Sequence, residues 1–274
     1  DTGPEGVAID HQGQVYVADS WSHRVQVFTL DGSFLRAFRR GAITDRQFYG
    51  TSAIALGRQD GSLNTPAGIA FDSAGAVLVV SSGRTTTIRG VSVQKFTATG
   101  EFLQRWGEDG YGPGQFANLE DIAVDGAGNV YVTDNGNNRV QKFNSAGVFL
   151  KQWGSIGDGL LRGPSDLAFD RANNLYVLDS RNSRLQKFDS NGRFLTAWGA
   201  PKGRWALVEN GQFIFPLRIA VDGEDRVYVT DVILRQVTPG TPRIAPVQMF
   251  TPDGAWLGLW TPKKAASEAF VAPV

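Results

Sequence analysis

One stretch, Phe116 to Gly154, sets a pattern that the rest of the chain repeats. It reads Phe-Ala-Asn-Leu-Glu-Asp-Ile-Ala-Val-Asp, then Gly-Ala-Gly, Asn-Val-Tyr-Val-Thr-Asp, a polar Asn-Gly-Asn-Asn, Arg-Val-Gln-Lys-Phe, Asn-Ser-Ala-Gly and Val-Phe-Leu-Lys-Gln-Trp-Gly. Four short runs rich in Val, Ile, Phe and Tyr, each closed by Gly, Asp or Asn, predict four strands joined by tight turns. Such a unit is one antiparallel sheet. Alone it cannot cover both of its apolar faces, so copies of it must stack on one another.

The strand that ends in Asp marks the register of each copy: Val7 to Asp10, Ile69 to Asp72, Ile122 to Asp125, Leu167 to Asp170 and Ile219 to Asp222. A second strand follows each mark, then a third (Val25 to Phe28, Val93 to Phe96, Val140 to Phe143, Leu185 to Phe188, Val247 to Phe250), then a fourth that ends at Phe38, Trp106, Trp153, Trp198 or Trp260. The 33 Gly and 12 Pro punctuate the whole chain and gather in no linker, so residues 1–274 read as a single domain. Lys plus Arg equals Asp plus Glu at 27 each, which removes a global charge drive toward nucleic acid or an anionic membrane. With no Cys and two His, disulfides, thiolate nucleophiles and cysteine-ligated zinc are excluded. No run approaches a membrane span, so the chain reads as soluble, and no signal peptide is visible. It begins without Met inside a linker-like sequence, which leaves room for a removed leader or upstream region.

These repeats resemble the NHL repeat, whose copies form the blades of a β-propeller, and the resemblance runs from Pro4 to about Trp260. It implies an all-β propeller of four-stranded antiparallel blades. Five copies are present, and closure by six blades, with one blade unsupplied or degenerate, is the alternative. The tail, Phe270-Val271-Ala272-Pro273, has the phase of the linkers that lead into a first strand, so with five blades it would dock on the first one. A standalone propeller of this kind resembles exported bacterial proteins, which implies a periplasmic or extracellular location.

Asp and Arg recur together around the turn between the second and third strands, as Asp19 with Arg24, Asp134 with Arg139 and Asp179 with Arg184. In the second copy both are replaced, by Ser81 and Ser92. A charge-assisted bond explains joint presence and joint absence, because either ion alone would be stranded. The expected role is structural, as is that of the third- and fourth-strand aromatics between blades.

Up-and-down strand order sorts the loops onto two ends. One end has only short Gly and Asx turns, rich in Asp. The other takes every insertion, at residues 39–64, 82–91, 200–214 and 232–245, with an excess of Arg and Lys. Long irregular loops are more often kept for binding than for folding. The expected binding set on this end is Trp21, His23, Arg84, Arg89, Arg204, Trp205 and Arg243. Residues just before each first strand, Glu120, Asp121, Asp166 and Arg218 with Glu5, are expected to ring a channel mouth, where carboxylates would suit Ca²⁺ or an acid and base pair.

Three functions compete on these grounds. The first is a noncatalytic scaffold that binds a protein partner or larger assembly through the long-loop end. The second is a calcium-dependent lyase or hydrolase at the channel mouth. The resemblance extends to amidating lyases with histidine-bound zinc, but His11 and His23 fall at opposite ends and cannot share a metal. The third is RNA binding, favoured by the basic loops and limited by their few aromatics. The sequence carries no P-loop, nucleophile elbow, EF-hand or zincin spacing. The scaffold reading leads, without a cofactor and without a catalytic residue.

Overall fold

The computed structural model describes residues 3–38, 60–82, 90–155, 159–199, 210–231 and 247–260. Within them the repeat becomes five four-stranded antiparallel sheets, each paired in chain order. Blade 1 is Gly6–Ile9, Val15–Asp19, Arg24–Phe28 and Phe34–Phe38. Blade 2 is Pro66–Phe71, Val77–Ser81, Ser92–Phe96 and Phe102–Trp106. Blade 3 is Leu119–Val124, Val130–Asp134, Arg139–Phe143 and Phe149–Trp153. Blade 4 is Pro164–Phe169, Leu175–Asp179, Arg184–Phe188 and Phe194–Trp198. Blade 5 is Pro216–Val221, Val227–Asp231, Val247–Phe250 and Trp256–Trp260. All five expected copies are therefore blades, and they account for every four-stranded sheet among the described residues. The tail Phe270 to Pro273 lies outside those residues. Contacts divide the chain into two compact units, Asp1–Trp153 with blades 1 to 3 and Gly154–Val274 with blades 4 and 5.

Because strand side chains alternate, every blade presents two apolar faces. In the first unit, Tyr16, Ala18, Val25 and Val27 of blade 1 pack with Ile69, Val77, Val79 and Phe96 of blade 2. The other face of blade 2, with Leu78, Val80, Val93 and Trp106, packs with Ile122, Val130, Val132 and Phe143 of blade 3. In the second unit, Tyr176, Leu178 and Leu185 of blade 4 meet Val227, Val229 and Phe250 of blade 5. The core therefore lies between blades. Each fully buried apolar side chain contributes about 1.5–3 kcal/mol of transfer free energy, so stacking is what stabilises sheets that could not stand alone.

The linkers take part in this packing. Leu63, Phe116 and Phe213 each sit three residues ahead of a first strand and are fully buried in the same clusters. The Phe116 ring lies 5.8 Å from that of Phe143, and Phe213 lies 5.5 Å from Phe250. Both anchors rest on a glycine that ends the preceding fourth strand, Phe116 on Gly107 and Phe213 on Gly199, where a Cβ would collide with the ring. These glycines also have φ of 84° and 95°, so the repeated Trp-Gly ending is a seat for the next linker.

The linker backbone is held by the second and third strands of the blade it enters. In blade 3, Asp134 Oδ2 accepts hydrogen bonds from Arg139 Nε at 2.8 Å and Gln141 Nε2 at 3.1 Å, while Oδ1 accepts the linker N–H of Ala117 at 3.0 Å. Arg139 then donates to the carbonyls of Tyr111, Gly112 and Gln115, and Gln141 to that of Gln115. Blade 4 repeats the arrangement with Asp179, Arg184, Gln186 and the N–H of Arg162. In blade 2 the fully buried Ser81 and Ser92 face each other in register, and Ser81 Oγ accepts the N–H of Asn64. The Asp and Arg pair is thus part of a linker clamp, to which the third-strand Gln belongs equally.

Asp134 and Arg139 are almost completely buried, so Asp134→Ala or Arg139→Ala leaves an ion without its partner. Each change is expected to destabilise the protein by about 1–3 kcal/mol, and the double variant to lose less than the sum. Urea unfolding of all four proteins measures this. Strictly additive losses would show that the two are uncoupled.

Candidate functional site

Register fixes which groups share an end. The start of each first strand pairs with the end of the second, as Leu119 with Asp134 and Pro164 with Asp179. Linkers and second-to-third turns therefore lie at one end of a blade, and the first-to-second and third-to-fourth turns at the other. Phe38, Ser82, Gly90, Gly199, Asp231 and Val247, which flank the long segments of the sequence, all belong to the linker end. Of the expected binding residues, Arg84, Arg89, Arg204, Trp205 and Arg243 lie outside the described residues.

Trp21 and His23 share the turn between the second and third strands of blade 1. Trp21 is 63 % exposed. The turn under it is rigidly held: Asp19 Oδ1 accepts the N–H of Ser22, Ser20 accepts that of His23, and Ser20 Oγ donates to the carbonyl of Pro66. His23 takes a left-handed backbone with φ of 50°. It is buried, and its Nδ1 accepts the N–H of Thr65 at 2.9 Å, so the ring carries its proton on Nε2 and ties blade 1 to the linker of blade 2. His23 supports the surface on which Trp21 stands.

The carboxylates expected at the channel mouth are engaged within the scaffold. Asp166 is buried, and its Oδ2 accepts the N–H of Ile219 in blade 5 at 2.6 Å. Asp121 lies against Gly68 of blade 2, where a Cβ would come within 2.6 Å of its Oδ1. Its half-buried neighbour Glu120 accepts a hydrogen bond from Asn118 Nδ2 at 2.9 Å. Arg218 is exposed and donates to the carbonyl of Leu217. A bulge between Leu119 and Ile122 in blade 3 turns Glu120 and Asp121 out of the regular ladder, whereas Asp166 pairs with Leu178 and Arg218 with Thr230 just past the bulges of blades 4 and 5. Among the described residues no three His, Asp or Glu side chains converge as a metal ion would need.

Two further features mark this end. Tyr111, a loop-end aromatic in the linker of blade 3, is 82 % exposed, while the neighbouring Gly112 and Gln115 carbonyls are pinned by Arg139. Beside it opens a cleft of about 440 Å³ lined by Asp60, Arg105, Trp106, Glu108 and Gln115. The second feature is the clamp Gln, at positions 26, 94, 141, 186 and 248. Its recurrence in every third strand was the available signal.

The opposite end is built from Asx turns. Asp125 Oδ1 accepts the N–H groups of Ala127 and Asn129, and Oδ2 accepts Asn129 Nδ2 and the Tyr131 hydroxyl at 2.9 Å. Burial pushes the Asp125 carboxyl up, but hydrogen bonds from Asn129, Tyr131 and Ala127 outweigh it and hold the group below its ordinary 3.8. Asp72 and Asp170 are lowered in the same way: burial raises them, and bonds from Lys95 and Ala76, or from Asn174 and Lys187, prevail. The Asp-rich end is thus a set of turn caps.

The stacked four-stranded blades define the protein as a β-propeller, with five blades among the described residues. The NHL repeat model matches residues 2–28, 116–143 and 161–188, which cover strands of blades 1, 3 and 4, so these three segments are similar to NHL repeats. No curated protein sequence matches the chain. Among solved structures it is similar to a catalytically inactive variant of virginiamycin B lyase from Staphylococcus aureus with quinupristin, at TM-score 0.63 and 14 % identity over 97 % of this chain and 72 % of that one. A chain of the nidogen/laminin complex aligns at TM-score 0.60 and 19 % identity, over 94 % of this chain and 80 % of that one. A gluconolactonase from Xanthomonas campestris aligns at 0.59 and 18 %, over 94 % and 75 %. At such identities the likeness extends to the fold alone.

A depressed carboxyl pKa contributes stability that is full above the unfolded value and is lost as pH falls through the folded one. Asp125→Asn is therefore expected to destabilise the protein most near pH 7, with a deficit that shrinks below about pH 4. Denaturant unfolding at neutral and acid pH measures it, and a deficit independent of pH would contradict the assignment.

Proposed function

We propose that this chain is a noncatalytic binding platform that takes a protein partner on the linker end of its blades. The observation that carries the reading is Trp21, a large aromatic side chain held in water by a turn that the buried Ser20 to Pro66 hydrogen bond and part-buried ones from Asp19 and His23 support. Exposed aromatics on rigid supports lose little conformational entropy on binding and commonly anchor protein interfaces. Tyr111 offers a second such side chain at the linker end of blade 3. The engagement of Asp121, Asp166 and His23 within the scaffold favours this platform over chemistry at the same residues. A propeller chain within a nidogen/laminin complex is a precedent for the use of such a fold in a protein assembly.

The test is capture from the native source on immobilised full chain, with Trp21→Ser and Tyr111→Ser compared with the unchanged protein. Partner affinity is expected to fall by about tenfold or more for Trp21→Ser, the scale of an interface anchor. Thermal unfolding should stay nearly unchanged, since the side chain is solvated. Retention should survive nuclease treatment. Binding that both substitutions leave intact would refute the platform, and binding abolished by nuclease would point to nucleic acid.

A further inference from the structure

In blades 1 and 4 the turn between the second and third strands is bonded to the linker of the next blade at two points. A serine hydroxyl donates to the carbonyl of the proline that opens the next first strand, Ser20 to Pro66 and Ser180 to Pro216. The residue just ahead of the third-strand Arg makes the second bond from a left-handed backbone, with φ of 50° at both His23 and Ser183. In blade 4 the Ser183 hydroxyl donates to the carbonyl of Ile214. In blade 1 the bond runs through an imidazole, because His23 Nδ1 accepts the N–H of Thr65 at 2.9 Å. A hydroxyl makes its bond at any ordinary pH. An imidazole nitrogen accepts only while the ring is neutral, and an ordinary imidazole titrates near pH 6.5.

The residue that His23 holds is itself strained. Thr65 is β-branched and has φ of 44°, a backbone region that such residues avoid unless their surroundings enforce it. Its carbonyl accepts the N–H of Ser82 at 3.1 Å, and its hydroxyl lies 2.9 Å from that of Ser82. Among the described residues, His23 Nδ1 is the acceptor of its N–H. His23 is buried, so a proton added at Nδ1 would set a cation against that N–H away from water. The charged groups described on the elements around the ring are Asp19 and Arg24 of its own turn, Glu5 ahead of the first strand of blade 1, and Asp60 ahead of the linker. Blade 2 presents neutral Ser81, Ser82 and Ser92 at this end. Burial pushes the Asp19 carboxyl up, but bonds from Arg24 and Ser22 outweigh it and hold the group below its ordinary 3.8, so the pair stays charged in mild acid.

We propose, resting on the platform reading, that His23 is a pH-operated latch: in mild acid the protonated ring releases Thr65, the turn that carries Trp21 loosens, and the platform lets its partner go. A bond that only the neutral ring can make contributes fully above about pH 6.5 and is lost as the pH falls below it. The bond from Ser20 to Pro66 does not titrate, so the change is confined to the turn and the linker it touches.

The test compares the full chain with His23→Asn, which sets an acceptor oxygen in place of Nδ1 and suits a left-handed backbone, as Asn138 does at the same place in blade 3 with φ of 54°. Hydrogen exchange of the Thr65 amide is followed at about pH 7.5 and about pH 5.5, each corrected for its intrinsic rate. Protection is expected to fall by about tenfold in the unchanged chain, the ratio of protonated to neutral imidazole one unit below its ordinary value, and to hold in His23→Asn. Partner affinity, measured on each immobilised protein at both pH values, should fall in parallel in the unchanged chain alone. His11, in the exposed turn between the first two strands of blade 1, is common to both proteins, so the difference between them reports His23. Equal loss of protection in both proteins, or none in either, overturns the latch, as does an equal loss of affinity. Should His23→Asn fail to fold, NMR titration of the unchanged chain decides: a His23 ring and a Thr65 amide that shift with one midpoint support the latch, and a ring that titrates while Thr65 stays fixed overturns it. An unchanged chain that captures no partner at either pH refutes the platform, while exchange at Thr65 still decides whether the bond is released.

Discussion

The second-strand carboxylate is the constraint on which the rest depends. Asp134 and Asp179 are fully buried at the point where a linker must change direction, and a buried charge persists only with its bonds complete. Each satisfies itself with an Arg and a Gln from the third strand and an N–H from the linker, so three chain segments that are distant in sequence are fixed by one group. The linker then has only one path, and its apolar anchor falls into the space between blades. In blade 2 Ser81 holds its linker with a neutral group, and because Ser92 stands opposite in place of the Arg no charge is stranded.

The two ends of a blade follow from this arrangement and divide its duties. Asx turns at one end hold carboxylates such as Asp125 and Asp170 as turn caps, each supported by a Tyr hydroxyl and an Asn amide. At the linker end the polar groups face segments that differ in length and sequence from blade to blade. Trp21 and Tyr111 are exposed there because the bonds beneath them are already complete, which frees the aromatic side chains from any packing role.

Strand count, turn positions, the Asp and Arg pairing and the sorting of loops to one end were legible in the sequence, because strand period and Gly or Asx turns are local signals that five copies repeat. Trp21 was legible as an aromatic in a loop. The roles of His23, Asp121 and Asp166 were not. Each meets a backbone group from another blade, Thr65, Gly68 and Ile219, and no local pattern records a contact across forty or more residues.

The sequence by itself determined a propeller of four-stranded sheets, with five copies of the repeat, and the joint presence or absence of each ion pair, since both rest on alternation and on the cost of an unpaired charge. Tertiary structure alone decided that the Trp-Gly endings seat the next linker and that the third-strand Gln grips its backbone. It also decided that all four clamps among blades 2 to 5 bury a Gln as completely as a core residue while Gln26 stays half-buried. The physical reason is that a hydrogen bond to a peptide group carries no side-chain signature: the chain spells the donor, and only the fold shows which backbone it holds.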